Sequence, residues 1–192
     1  MSVRPAVSVL SAGHPTAAAK GVAAGVHQPK RGRALPMSEM SGAQVAELYD
    51  EMDREMVGAI IESKKTAGSR LEQFVDLAHR LGADTIGIAY CVGFAKQAEK
   101  LEAYLSDEFE VVPAGCKVHD LQAADLVEGA TGTSCNPAGQ AEILNDAGTD
   151  LNISIGLCLG HDMIFQKHSL VPVTAMAVKD RPTNHQPLDA LE

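Results

Sequence analysis

Tryptophan is absent from this chain of 192 residues, and aromatic residues make up only 4% of it. Surfaces that stack bases or sugars are built on aromatic platforms, so this scarcity argues against one. No run approaches the ~20 apolar residues of a membrane span. No secretory signal is visible, because Val7-Ser8-Val9-Leu10 is far too short for its apolar segment. The first 90 residues lack cysteine, residues 1–36 lack acids, and the paired C-x-x-C knuckle of a structural zinc site occurs nowhere. A cytoplasmic, reducing setting is the resulting expectation, and free thiols there are metal-binding or reactive and not disulfide-forming.

What is present suits one domain with a good core: 45% of residues are hydrophobic and 21% charged. The net charge of −9 is unevenly spread. Residues 1–36 hold Arg4, Lys20, Lys30, Arg31 and Arg33 without an acid, so the other 156 carry 11 bases against 25 acids. So acidic a body lacks the basic face that nucleic acid needs. Residues 1–36, rich in Ala, Gly and Pro, are expected to be a flexible basic tail, free or docked as an arm on an acidic protein partner or a sister copy.

From 37 to 192 the pattern predicts one domain, with a helical lead-in over 38–81. Val45, Leu48, Met52, Met56, Ala59 and Ile60 recur at helical spacing, with Ser41 as cap and Gly68 as stop. A second helix runs from Ser69 to Arg80 and ends at Gly82. The period then changes. Thr85–Tyr90, Phe109–Ala114, Leu151–Ile155 and Val171–Val178 read as buried strands, with helices expected over 94–105, from Pro137 to Gly148, and over 161–167. Asn136 and Pro137 have the cap and first-turn chemistry of a helix start. The segment 118–132 is ambiguous. The expected fold is α/β, a three-layer domain on a mostly parallel, Rossmann-like sheet of about four strands.

Ligands collect at the carboxyl ends of the strands in such a sheet. Cys91, Cys116 and Cys158 each follow a predicted strand closely, and Cys135 precedes a predicted helix start. The four are separated by 25, 19 and 23 residues in sequence. Right-handed crossovers would bring all of them to one edge, beside helix amino termini that favour thiolates. Four cysteines suffice for a zinc ion or an iron–sulfur cluster, and ligands scattered one per loop suit the bulkier cluster. His161 and Asp162 follow Cys158, His161 as ligand, proton carrier or ordinary cap-region residue. Lys117 adjoins Cys116, and Lys179, Asp180 and Arg181 follow the fourth strand. Lys117 and Arg181 are candidates to bind an anionic small molecule. His185 is a further candidate at the same edge.

The stretches IGIAYCVGFAKQAEKL, GCKV, CNPAGQAEILNDAGTDLNISIGLCLGHD and VPVTAMAVKDR resemble the domain-of-unknown-function 1847 family over about Val45 to Leu191. Its members are labelled predicted metal-binding proteins. The resemblance implies a metal or iron–sulfur site on Cys91, Cys116, Cys135 and Cys158. Lys117, Asn136, Pro137, His161, Asp162, Lys179, Asp180 and Arg181 match the pattern too. Many relatives carry further cysteines before the first helix, and this chain has none there, so an amino-terminal second site is not expected.

Three functions follow as expectations. The first is a metal centre on the four cysteines, with scope for redox chemistry. The second is a metal-free thiol enzyme with Cys158 or Cys91 as nucleophile and His161 as base. The third is an accessory or scaffold subunit docked through the tail.

Overall fold

A computed structural model of the chain describes residues 39–63 and 68–191. Contacts divide it into two compact units, Met1–Ala46 and Glu47–Glu192. The described part of the first holds the short helix α1 (Gly42–Ala46), which Ser41 opens by accepting from the Gln44 N–H at 3.3 Å. The basic segment 1–36 lies outside the described residues.

The second unit begins with α2 (Glu51–Ser63) and α3 (Arg70–Arg80). The single helix expected between Ser41 and Gly68 is therefore interrupted, and the cause is local. Asp50 accepts from the Asp53 N–H at 2.9 Å, while Asp53 accepts from the Asp50 N–H at 3.1 Å, so a fresh reciprocal cap starts α2. Apolar periodicity runs through that point and does not register it. At α3 the expected boundary holds: Ser69 and Glu72 form a capping box, and Gly82 leaves the helix at φ +65°.

Strand and helix then alternate as β1 (Thr85–Tyr90), α4 (Ala95–Leu105), β2 (Glu110–Gly115), α5 (Pro137–Asp146), β3 (Leu151–Ile155), α6 (Leu159–His168) and β4 (Val173–Ala177). The ambiguous segment after β2 contains two short 3-10 turns, at Val118–Asp120 and Ala123–Asp125. All neighbouring strands are parallel, in the order β2-β1-β3-β4. Right-handed crossovers put α4 on one face and α5 and α6 on the other, where these two pack on each other. The mixed α/β fold with a parallel sheet is as the sequence led one to expect.

The core lies on both faces of β1 and β3. Ile86, Ile88 and Ile153 are completely buried, with Leu105, Leu144 and Phe165 from the helices. Gly87 is required where it stands, since a Cβ there would meet the Asn152 side-chain amide and come within 2.8 Å of Leu144. Buried Asn152 is satisfied in turn, accepting from Thr149 Oγ1 and donating to Ser169 Oγ, each at 2.9 Å. Among the described residues no helix is long and apolar enough to cross a membrane.

For function the strand order matters most. β1 and β3 are neighbours, yet the chain leaves β1 toward β2 on one side and β3 toward β4 on the other. That reversal opens a crevice above the carboxyl ends of β1 and β3.

Candidate functional site

Each cysteine reaches this crevice by its own backbone route. Cys91 follows β1 directly, and its N–H still donates to Ile155 O on β3 at 3.1 Å. Cys116 follows β2, and its carbonyl accepts from the Asn136 N–H at 2.8 Å, which draws in the loop that carries Cys135. Asn136 caps α5 by accepting from the Gly139 N–H at 2.8 Å. Cys158 is the residue from which α6 starts. The turn leading to it needs Gly156, which holds φ +59° and leaves no room for a Cβ against the Phe94 ring.

The side chains then meet in one line. Cys116 stands within electrostatic reach of both Cys91 and Cys135. Lys179, two residues beyond β4, donates from Nζ to Cys91 Sγ at 3.0 Å and to Cys158 Sγ at 3.6 Å. The Val92 N–H adds a bond to Cys116 Sγ at 3.3 Å. Cys91 and Cys116 are 4% and 3% exposed, whereas Cys135 and Cys158 are half-buried. All four are free thiols.

The electrostatics differ along this line. Burial pushes the Cys91 thiol up, but the Lys179 hydrogen bond, the Gly93 backbone and the Lys179 charge together bring it below its ordinary value. Cys116 goes the other way: burial raises it, and Cys135 and Cys91 add to the rise. Hydrogen bonding to Cys91 raises Lys179, which stays an ammonium. His161 is lowered, first by burial and then by the charges of Lys179 and Lys117, so its imidazole is neutral at pH 7.

The structure thus brings Cys91, Cys116, Cys135, Cys158 and Lys179 together, with His161 within their electrostatic reach. Lys117 is exposed and tied by Nζ to Thr133 O at 2.6 Å. Arg181 sits exposed in the loop after Lys179, its carbonyl accepting from the Asn184 N–H at 3.3 Å, and makes no side-chain bond to the thiols. His185 belongs to the support. Its Nδ1 accepts from the Asp180 N–H at 3.0 Å, and its ring meets Phe94 edge-on at 4.8 Å.

Sequence reasoning missed Gln140. This side chain is fully buried, and its Nε2 donates to Tyr90 O at 3.2 Å and Ala114 O at 2.7 Å, one carbonyl from each of β1 and β2 just below Cys91 and Cys116. Its Oε1 has no partner. The available signal was a glutamine in register with Pro137, Ala141 and Leu144 on the buried stripe of α5.

Among the described residues no three His, Cys, Asp or Glu side chains stand in metal-ligating geometry. As placed, the thiols form a chain with an ammonium set into it. The donor set nevertheless fits a sulfur-held centre in its chemistry. It combines four thiols, a cation, and a backbone N–H aimed at sulfur, the kind of outer contact that stabilises ligated thiolates. Without such a centre the same contacts activate a nucleophile.

A model of the family described as "Protein of unknown function (DUF1847)" matches residues 35–176. The chain is also similar to an uncharacterised protein of Methanocaldococcus jannaschii, with 42% identity over 144 residues that cover 70% of this chain and 73% of that one. No solved structure matches. The family match spans all four cysteines, Gln140 and His161, and Lys179 lies three residues beyond it.

Proposed function

The chain belongs to the DUF1847 family, and from that premise we propose that its crevice is a sulfur-ligated metal centre, an iron–sulfur cluster with zinc as the alternative. Cys91, Cys116, Cys135 and Cys158 are the ligands. The observation that carries this reading is their convergence: of four sulfurs 19 to 25 residues apart along the chain, Cys91 and Cys158 share the Lys179 ammonium, and Cys116 lies within electrostatic reach of Cys91 and Cys135. A cluster bound here would supply one-electron redox chemistry. Lys179 offsets the negative charge that four thiolates bring, and neutral His161 is free to accept a proton at the mouth. The setting is a reducing cytoplasm, and Lys117 with Arg181 would favour an anionic small molecule. The basic segment 1–36 is the arm through which a protein partner or a sister copy would dock.

Metal and acid-labile sulfide analysis of anaerobically purified protein, with its absorbance spectrum, tests the proposal. Stoichiometric iron and sulfide, or stoichiometric zinc, is expected, with loss in each Cys→Ser variant. A colourless protein without stoichiometric metal, before and after reconstitution, overturns it.

One contact favours a second reading. Lys179 Nζ at 3.0 Å from Cys91 Sγ, with the Cys116 thiol within electrostatic reach of the same sulfur, is the arrangement of a nucleophilic thiolate beside a resolving thiol. In metal-free protein, fast alkylation confined to one cysteine supports it, and uniform slow labelling of all four counts against it.

A further inference from the structure

Apart from the thiol crevice, a cavity of about 390 Å³ opens between α2 and α3 on one side and the start of β3 with β4 on the other. That volume lies within the range of small-molecule pockets, ~300–1,000 Å³. Its wall is mostly apolar: Met56 and Ile60 of α2, Phe74 and Leu77 of α3, Val173 and Met176 of β4. The strand side is incompletely covered, because β4 is the edge of the sheet and every one of its residues is only half-buried.

One charged group lines this cavity. Arg70, the first residue of α3, is fastened to β4 by two bonds, Nε to Ala175 O at 3.2 Å and Nη2 to Thr174 Oγ1 at 2.7 Å. Both acceptors are neutral. Among the described residues no carboxylate pairs with Arg70, in a chain whose acids far outnumber its bases. A guanidinium held rigid by two anchors still presents unspent N–H donors in a planar fork, the geometry that reads a carboxylate or sulfonate. The other polar lining groups offer less. Asn152 is satisfied by Thr149 and Ser169, and Gln73 donates to Gly68 O at 2.8 Å.

We infer that this cavity is a second binding site, which takes a small molecule with an apolar or aromatic body and one anionic group, the body against Phe74, Leu77 and Met176 and the anion on Arg70. It is independent of the thiol chemistry, since its lining shares no residue with the crevice.

The probe is 1-anilinonaphthalene-8-sulfonate, an aromatic body with a sulfonate, titrated into the full-length protein at neutral pH. The expected result is saturable fluorescence at one equivalent, reversed by decanoate. Arg70→Gln keeps donors but loses the charge and should weaken binding about tenfold or more. Ile60→Trp, on the partly exposed α2 wall, fills the space and should abolish binding while circular dichroism and melting stay near those of the parent. Absence of saturable binding to the parent overturns the inference. So does unchanged affinity in both folded variants. Metal content is read on the same samples, so failure of this site and failure of the thiol centre are told apart.

Discussion

Lys179 Nζ lies 3.0 Å from Cys91 Sγ although 88 residues separate them, and the same nitrogen is 3.6 Å from Cys158 Sγ. One ammonium thus joins the ends of β1, β3 and β4. The consequence for acidity is specific. Burial alone would hold Cys91 as a thiol, and the lysine reverses that.

In metal-free protein the pH profile of iodoacetamide labelling at Cys91 should therefore have its midpoint below that of an ordinary cysteine. Lys179→Met removes the hydrogen bond and the charge and leaves burial, so the midpoint should move up. Mass spectrometry of the Cys91 peptide across pH reads the midpoint separately from the labelling rate, which access also controls. An unmoved midpoint would mean that Lys179 does not set the state of this thiol.

Gly156→Ala tests the turn that delivers Cys158. At φ +59° a side chain costs about 1–2 kcal/mol. The added Cβ must also displace the Phe94 ring, and overpacking of this kind costs about 1–3 kcal/mol more. Phe94 carries the contact with His185, so the loop after Lys179 should loosen as well. Urea denaturation should show a loss of about 2–5 kcal/mol, the sum of those two ranges. A loss below ~1 kcal/mol would show that the turn relaxes freely.

Legibility in the sequence followed locality. β1 and α3 stand where a short continuous apolar run and a period of 3.6 put them, because Thr85–Tyr90 and the Ser69–Glu72 capping box are decided by near neighbours. The convergence of the cysteines was also readable, since a strand end followed by a helix start fixes the edge each one reaches. The placement of Lys179 between two sulfurs was not, because it depends on β4 lying beside β3 and not beside β2, and no local pattern encodes strand order. The break before α2 escaped for the opposite reason: Asp50 and Asp53 make a very local cap inside a longer apolar period. Gln140 reads as an ordinary helix residue until β1 and β2 are placed beneath it.

Asp150 illustrates a smaller cross-strand tie. Its Oδ2 accepts from the N–H groups of Asp84 and Thr85, both at 2.9 Å, and so fixes where β1 begins against β3. Asp150→Ala loses two bonds at a position where water substitutes in part. A cost of about 1–2 kcal/mol is expected by denaturation, at about 1 kcal/mol per bond. Labelling of the four cysteines should not change, because the lesion lies at the opposite end of the strands.

Gln140 allows stability and site geometry to be separated. Its amide clamps Tyr90 O and Ala114 O, so Gln140→Met, close in shape, removes both bonds and the orphaned Oε1, while Ala114 O keeps its place in the β1–β2 ladder. The net cost should be about 1–2 kcal/mol, at about 1 kcal/mol per lost bond. If the clamp also sets the approach of Cys91 to Cys116, diamide-driven disulfide formation between them in metal-free protein should slow relative to the parent. Leu144→Ala supplies the control. It lies one turn further along the same buried stripe and costs about 2–5 kcal/mol by cavity formation, without touching either carbonyl. Slower cross-linking in Gln140→Met but not in Leu144→Ala would assign the spacing of the two sulfurs to the amide. Equal slowing in both would make it a consequence of general loosening, with Gln140 a stabilising residue only.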